Sequence, residues 1–151
     1  MRNKVLFGIL CLSFLSFSSC DNVSKFTLEM IKKENSIFEN EIYRICYADL
    51  GYFESSLRYV RESDFDTILS IFSVEKYDFN DNFSPFSTKH FCLYVYYDEN
   101  NQNNYELGMT DNMMYVQINT NYYPKYYTVE KNDSFFNETR EFLRSLEMDL
   151  I

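Results

Sequence analysis

The feature that most restricts the fold of this chain is an alternation of side chains with a period of two. Over residues 91–96, Phe, Leu and Val at every second position alternate with Cys or Tyr. Successive side chains of a β-strand point to opposite faces, so this run predicts a strand with one core face and one aromatic face. Further strands are predicted at residues 105–109, 113–119 and 125–129. Polar turns connect them, too short for crossovers, which favours an antiparallel meander.

Two segments have apolar residues at helical spacing. The clearer one covers residues 133–146, with Asp133 as the expected N-cap. The other is expected to begin at Ser63 and to end near Val74. Helices that follow and flank a meander are expected to pack on one side of it.

The remaining segments are less regular. Residues 26–47 favour a helix or a broken helix, although residues 42–47 also suit a buried strand. A short strand is predicted at 57–60 and a loop at 78–89. The fold class expected is therefore α+β, an antiparallel sheet of three to five strands with helices packed on one face, in a single domain covering residues 26–151.

The amino terminus differs from the rest of the chain. Arg2 and Lys4 precede an apolar run at residues 5–17, and the first nineteen residues contain no acid. A basic start, a short apolar run and small residues before a cleavage point are typical of an export signal. A membrane-spanning helix needs about 20 apolar residues, more than this run supplies.

Residues 17–20, Phe-Ser-Ser-Cys, resemble the lipobox of bacterial lipoproteins. This resemblance implies that residues 1–19 are a cleaved signal peptide, that Cys20 carries the lipid, and that residues 20–25 form a tether. The implied location is the cell envelope, in a periplasmic or surface-facing position, with the membrane contacted through the lipid anchor. Phe17 stands where Leu, Val or Ile is usual, so cleavage by an ordinary signal peptidase is the alternative.

The net charge limits the class of partner. Cleavage after residue 19 would remove Arg2 and Lys4, leaving 12 of the 14 basic residues against 23 acidic ones, a formal charge of -11. Nucleic-acid affinity depends mainly on Lys and Arg at phosphates, so a nucleic-acid partner is not expected. This charge favours a basic protein partner. The alternative is an acidic surface that is only solvated, which would give the same net charge.

Two cysteines, Cys46 and Cys92, remain in the mature part once Cys11 leaves with the signal and Cys20 is lipidated. In an exported domain they could form one disulfide, which would stabilise the fold by about 2 to 4 kcal/mol. Both lie in apolar surroundings, where two separate buried thiols fit equally well.

The chain contains few residues suited to catalysis. His90 is the only histidine and directly precedes a strand, with no Ser or Cys triad evident around it. Residues 78–82 resemble part of a calcium loop but lack its central Gly and distal Glu. Asp64 and Asp66 suit a helix start. No catalytic residue, metal or cofactor is therefore predicted.

Tyrosines are the main candidates for a functional surface. Seven of them, in or next to predicted strands, could form one outward surface that binds a protein or stacks on sugars, with ordinary cross-strand packing as the alternative. They are Tyr94, Tyr96, Tyr97, Tyr122, Tyr123, Tyr126 and Tyr127. The leading hypothesis is a non-enzymatic binding module, similar to an immunity protein or an inhibitor. A structural envelope lipoprotein without a ligand and a hydrolase built on His90 are the alternatives.

Overall fold

The structure is a computed structural model that describes residues 25–37, 42–50, 57–85, 90–97, 103–120 and 122–150. The predicted signal peptide, Cys20 and nearly all of the tether lie outside these residues. The helices are α1 (Leu28–Glu34), α2 (Phe65–Ser73) and α3 (Asp133–Ser145), and a 3-10 turn at Glu62–Asp64 precedes α2. The strands are β1 (Arg44–Asp49), β2 (Arg58–Tyr59), β3 (Asp78–Phe79), β4 (His90–Tyr96), β5 (Asn103–Thr110), β6 (Met113–Ile118), β7 (Lys125–Glu130) and β8 (Asp149–Leu150).

The eight strands form one sheet in the order β3-β7-β6-β5-β4-β1-β2-β8, and every strand pair is antiparallel. The predicted meander is β4 to β7, in which Leu93 pairs with Leu107 and Leu107 with Val116. The α+β class is confirmed. The expected count of three to five strands is wrong, because β1 joins the meander at β4 and the two-residue strands β2, β3 and β8 complete the sheet.

The core lies against one face of the sheet, here called the core face, which carries Phe91, Leu93 and Val95. Each helix contributes to the same cluster, for example through Phe72 of α2 and Phe136 of α3. Phe91 and Phe136 stack with ring centroids 5.6 Å apart. Burial of such side chains stabilises by about 1.5 to 3 kcal/mol each, which explains why the alternation in β4 determines its orientation.

The opposite side, here called the second face, carries Cys46, Cys92, Glu106 and Tyr115, all of them buried. Phe83, in the loop after β3, contributes to its cover, with its ring centroid 5.3 Å from that of Tyr115. The central strands are therefore buried on both faces.

The helix starts differ from the predicted caps by one residue. Asn132, not Asp133, caps α3, because the Asn132 side chain accepts a hydrogen bond from the backbone N–H of Phe135. Ser63 lies inside the 3-10 turn, and α2 follows Asp64, which makes no side-chain capping bond.

The ambiguous segment 26–47 contains both expected structures. Thr27 caps the short helix α1 through its side-chain oxygen, and β1 follows from Arg44. Residues 38–41 lie outside the described part. The segment predicted as a loop at 78–89 begins with β3, which pairs with β7.

Candidate functional site

The structure separates the seven tyrosines of the predicted binding surface. Tyr94 and Tyr96 lie half-buried on the second face, and Tyr126 lies on that face but is only 7% exposed. Tyr127 belongs to the core on the opposite face, and Tyr97 packs against the core. The prediction of one shared tyrosine surface is wrong for Tyr126 and Tyr127, because adjacent residues of a strand cannot share a face and both faces of β7 are covered here.

Tyr122 and Tyr123 are the exposed pair. They lie in the β6–β7 connection with 89% and 81% of their surface accessible. The Thr120 hydroxyl accepts hydrogen bonds from the backbone N–H groups of Tyr122 and Tyr123 and donates one to the carbonyl oxygen of Tyr123. Such side-chain bonds to the backbone fix a turn. We call Thr120, Tyr122 and Tyr123 the hairpin tip.

The second face holds a buried polar cluster centred on Glu106. The Tyr115 hydroxyl donates a hydrogen bond of 2.8 Å to Oε1 of Glu106, and the Cys92 thiol also bonds to this carboxyl. Burial raises the pKa of Glu106, and the bonds from Tyr115 and Cys92 only partly oppose that change. This carboxyl is therefore buried and held by two hydrogen-bond donors, and it is not a solvent-facing acid or base.

Cys46 and Cys92 are free thiols on the second face. Cys46 pairs with Tyr94 and Ala48 pairs with Cys92, so the two thiols are diagonal neighbours on adjacent strands. The structure thus contains the separate-thiol arrangement and not the disulfide. Burial, and for Cys92 also the Glu106 charge, raises the pKa of each thiol, while Arg44 partly opposes this at Cys46. A protonated thiol is a poor nucleophile.

The histidine and the residues that resemble part of a calcium loop take part in contacts within the fold. His90 is 6% exposed at the start of β4, and its carbonyl oxygen accepts the backbone N–H of Leu50. Asp78 binds Lys25 at 2.9 Å, and Asn80 donates to the Thr128 hydroxyl. Within the described ranges, no group of three His, Cys, Asp or Glu side chains could hold a metal ion.

An ion cluster connects β1 to α3. Asp49 accepts two hydrogen bonds from Arg140, at 3.0 and 2.6 Å, and one from Arg144 at 3.0 Å. Burial by itself would raise the pKa of Asp49, but the hydrogen bonds and charges of the two arginines together lower it. This cluster anchors the end of β1 and is a structural element.

Sequence reasoning missed an arginine surrounded by aromatic rings at the start of β1. The Arg44 guanidinium carbon lies 4.6 Å from the ring centroid of Tyr96, 5.3 Å from that of Tyr59 and 5.8 Å from that of Tyr43. Arg44 also donates a 3.4 Å hydrogen bond to the Tyr59 hydroxyl. The rings come from three separate segments, so only the folded sheet brings them together.

A wide, open surface depression of about 420 Å³ adjoins this arginine. Its walls are formed by Tyr43, Arg44, Tyr59, Val60, Glu62 and Phe65. Tyr96 was the one predicted tyrosine in contact with this arginine, and no local signal in the sequence identified the others.

No helix in the described part of the chain is long and apolar enough to cross a membrane. In comparisons with known proteins, no family model, no curated protein and no solved structure matches the chain. Function is therefore argued from the residues and their geometry.

Proposed function

We propose that this protein is an exported lipoprotein, held at the cell envelope through a lipid on Cys20, whose domain is a non-enzymatic binding module. The observation that carries the binding proposal is the hairpin tip, which presents two exposed tyrosines on a turn fixed by hydrogen bonds. The anchoring proposal depends on the sequence of residues 1–20.

The hairpin tip has the properties of a protein contact. Tyrosine offers a large contact area with few rotatable bonds and a polar end, so little conformational entropy is lost when it is buried in a complex. The bonds to Thr120 hold the backbone of Tyr122 and Tyr123 before any partner arrives. A preorganised contact loses less free energy on binding than a loose one.

The charge of the domain supports a basic protein as that partner. The formal charge of -11 after cleavage would attract a cationic surface and raise the association rate at low salt. An acidic immunity protein or inhibitor that covers a basic partner would have such opposite charges. Because salt screens the attraction between them, the association rate should fall as salt is added.

The surroundings of the reactive groups support a non-enzymatic role. The thiols of Cys46 and Cys92 are buried with raised pKa values, and Glu106 is 8% exposed. Catalytic nucleophiles generally need an accessible, activated form. The hydrolase alternative would have to be built on His90, which is also buried.

The anchor is tested by mass spectrometry of the mature amino terminus from native-host membranes. We expect a terminus that begins at Cys20 and carries acyl chains, and we expect Cys20→Ser to release the protein from the membrane fraction. Two or more chains are needed for stable attachment. A chain that still begins at Met1, or that stays soluble without detergent, would contradict this proposal.

The binding surface is tested by placing a photo-crosslinking amino acid at Tyr122 in the native host, with Val74 as the matched control. Val74 is 77% exposed at the end of α2. The next residue, Glu75, pairs with Lys131, which follows the end of β7 opposite to the hairpin tip. We expect a specific protein adduct from position 122 and none from 74.

The affinity for the crosslinked partner is then measured for the wild type, for the double variant Tyr122→Ser/Tyr123→Ser and for Val74→Ser. Tyrosines at interface centres can each contribute about 2 kcal/mol or more, so we expect at least a tenfold loss only in the tyrosine variant. Unchanged affinity in that variant would exclude the hairpin tip, and the absence of any adduct would favour a structural lipoprotein.

A further inference from the structure

The length of the proposed tether limits how far the domain can lie from its lipid anchor. Cys20 and Lys25 are five residues apart, and an extended chain spans at most about 3.6 Å per residue, so their Cα atoms lie within about 18 Å of each other. A domain of this size is about 35 Å across. The side that carries Lys25 is therefore held closest to the membrane.

We propose that this side, the edge of the sheet at β3, lies against the phosphate groups of the membrane lipids and orients the domain. The contact surface consists of Lys25, Phe79 and Lys125, here called the edge patch. This inference rests on the lipid anchor of the proposed function and does not depend on the hairpin tip.

Lys25 belongs to the folded edge of the sheet. β3 is the outermost strand, and the residue before it, Tyr77, exchanges two backbone hydrogen bonds with Phe26, at 2.7 and 2.8 Å. Lys25 pairs with Asp78 of β3 at 2.9 Å. The tether therefore ends on a fixed part of the domain, so its short reach brings this edge, and not another side, to the membrane.

The residues of the edge patch are connected by contacts. Phe79 packs on Tyr127, with ring centroids 5.6 Å apart. Asn35 donates a hydrogen bond of 3.2 Å to the Tyr127 hydroxyl, and Lys125 donates one of 2.9 Å to Oδ1 of Asn35. Lys25 joins this network through its ion pair with the residue before Phe79. A lipid surface that meets the Phe79 ring can therefore meet both lysines.

The exposure of the edge patch suits a lipid surface. The side chain of Lys25 is 53% exposed, Phe79 is 52% exposed, and Lys125 is exposed as well. Lysine ammonium groups are attracted to anionic lipid headgroups. Phenylalanine side chains enter the boundary between the headgroups and the acyl chains. The patch offers both kinds of contact at one place.

The charge of this edge differs from that of the rest of the domain. Residues 25–35, 75–80 and 125–131 contain six lysines and five acidic residues, a charge of +1, so the remainder of the mature chain has a charge of -12. Anionic headgroups attract this edge and repel the other surfaces, over about 10 Å at moderate salt. Because the anchor keeps the domain at the membrane, a contact too weak to bind a free protein is enough to orient it.

The orientation is tested by the fluorescence of a single introduced tryptophan, since the chain contains none. Phe79→Trp places this reporter in the edge patch. Tyr43→Trp is the matched control, because Tyr43 is also 52% exposed. Tyr43 directly precedes β1, which lies five strand positions from β3 and therefore about 24 Å away.

Each lipoprotein is purified from native-host membranes in detergent and placed in vesicles of phosphatidylethanolamine and phosphatidylglycerol, some of whose headgroups carry a spin-label quencher. We expect quenching about fivefold stronger at position 79 than at position 43, which is the population ratio that one lysine near an anionic surface supplies. Added salt should reduce this difference. Equal quenching at the two positions, or stronger quenching at position 43, would overturn the proposal.

A charge variant tests the lysine contact. In the Phe79→Trp protein, Lys125→Gln should weaken the quenching, whereas Arg61→Gln should not, because Arg61 follows β2 on the far side of the sheet. Both substitutions remove one positive charge from an exposed side chain. The same quenching in both variants would show that the edge patch does not contact the lipid.

Mass spectrometry of the same samples separates this inference from the anchor. Protein without acyl chains on Cys20 would refute the anchor and this orientation together. Acylated protein with equal quenching at the two positions would refute the orientation alone.

Discussion

The ring of Tyr115 lies directly across the backbone of Gly108, its partner on the neighbouring strand. A Cβ atom at position 108 would stand 2.2 Å from Cζ of Tyr115. Because only glycine leaves this space, the Tyr115 side chain can pass over Gly108, and its hydroxyl reaches Glu106 on the same strand at 2.8 Å.

Gly108→Ala is therefore expected to displace the Tyr115 ring and to break its bond to Glu106. Overpacking and a lost buried hydrogen bond together should lower the free energy of unfolding by about 2 kcal/mol or more, measured by urea denaturation. The same substitution should cost less in a Tyr115→Ala background. Equal costs in both backgrounds would show that the ring is not the cause.

Glu106→Gln is expected to change how stability depends on pH. Burial raises the pKa of Glu106 above its ordinary value of 4.5, so the folded protein holds this proton more tightly than the unfolded chain does. The resulting stability is fully present below pH 4.5 and is lost as the pH rises through the folded-state pKa. Glutamine does not ionise, so the variant should lose less stability over this range, measured by urea denaturation at several pH values. Glu130→Gln is the control. If Glu106→Gln lost stability with rising pH as steeply as the wild type, Glu106 would not be the cause of that loss.

Asp49→Asn is expected to have the opposite pH signature. The pKa of Asp49 is lowered in the folded protein, so its contribution is present above the ordinary value of 3.8 and is lost as the pH falls through the folded-state pKa. The variant should show a smaller loss of stability in acid. At neutral pH the loss should be about 3 to 5 kcal/mol, because the substitution removes one member of the buried Asp49–Arg140 ion pair.

Arg144→Gln is the matched comparison for that cluster, since the Arg144 side chain is 37% exposed whereas that of Arg140 is 7% exposed. Water screens the Arg144–Asp49 pair, so its loss should lower the free energy of unfolding by about 1 kcal/mol or less. A larger effect from Arg144→Gln than from Asp49→Asn would contradict this ranking.

The thiols of Cys46 and Cys92 should be unreactive in the folded protein. Burial raises both pKa values and limits access, so alkylating reagents should modify neither cysteine until the protein is denatured. Peptide mass spectrometry should then find both thiols alkylated without any reductant. Two peptides joined by a disulfide would contradict the free-thiol structure.

The sequence predicted the strands whose two faces carry different kinds of side chain. In β4, Phe91, Leu93 and Val95 belong to the core as the alternation indicated. In β1, by contrast, Ile45 to Ala48 are all buried, so no period of two marks the strand. The two-residue strands β2, β3 and β8 are too short to produce a periodic pattern, although a strand at 57–60 was predicted for β2.

The candidate sites were harder to predict for the same physical reason. Tyr122 and Tyr123 were identified, but the burial of Tyr126 depends on neighbouring segments that the local pattern does not reveal. One available signal was overlooked, since Gly108 inside an apolar strand often indicates a close approach by another group. The rings around Arg44 come from distant segments, and no spacing rule relates them.

The edge strands β3 and β8 are too short to pair with the sheet of a neighbouring molecule. A second chain can extend a sheet only where the edge strand has enough unpaired backbone N–H and C=O groups, and β3 and β8 contain two residues each. Copies brought together by the proposed lipid anchor are therefore expected to remain individual molecules and not to polymerise into fibres.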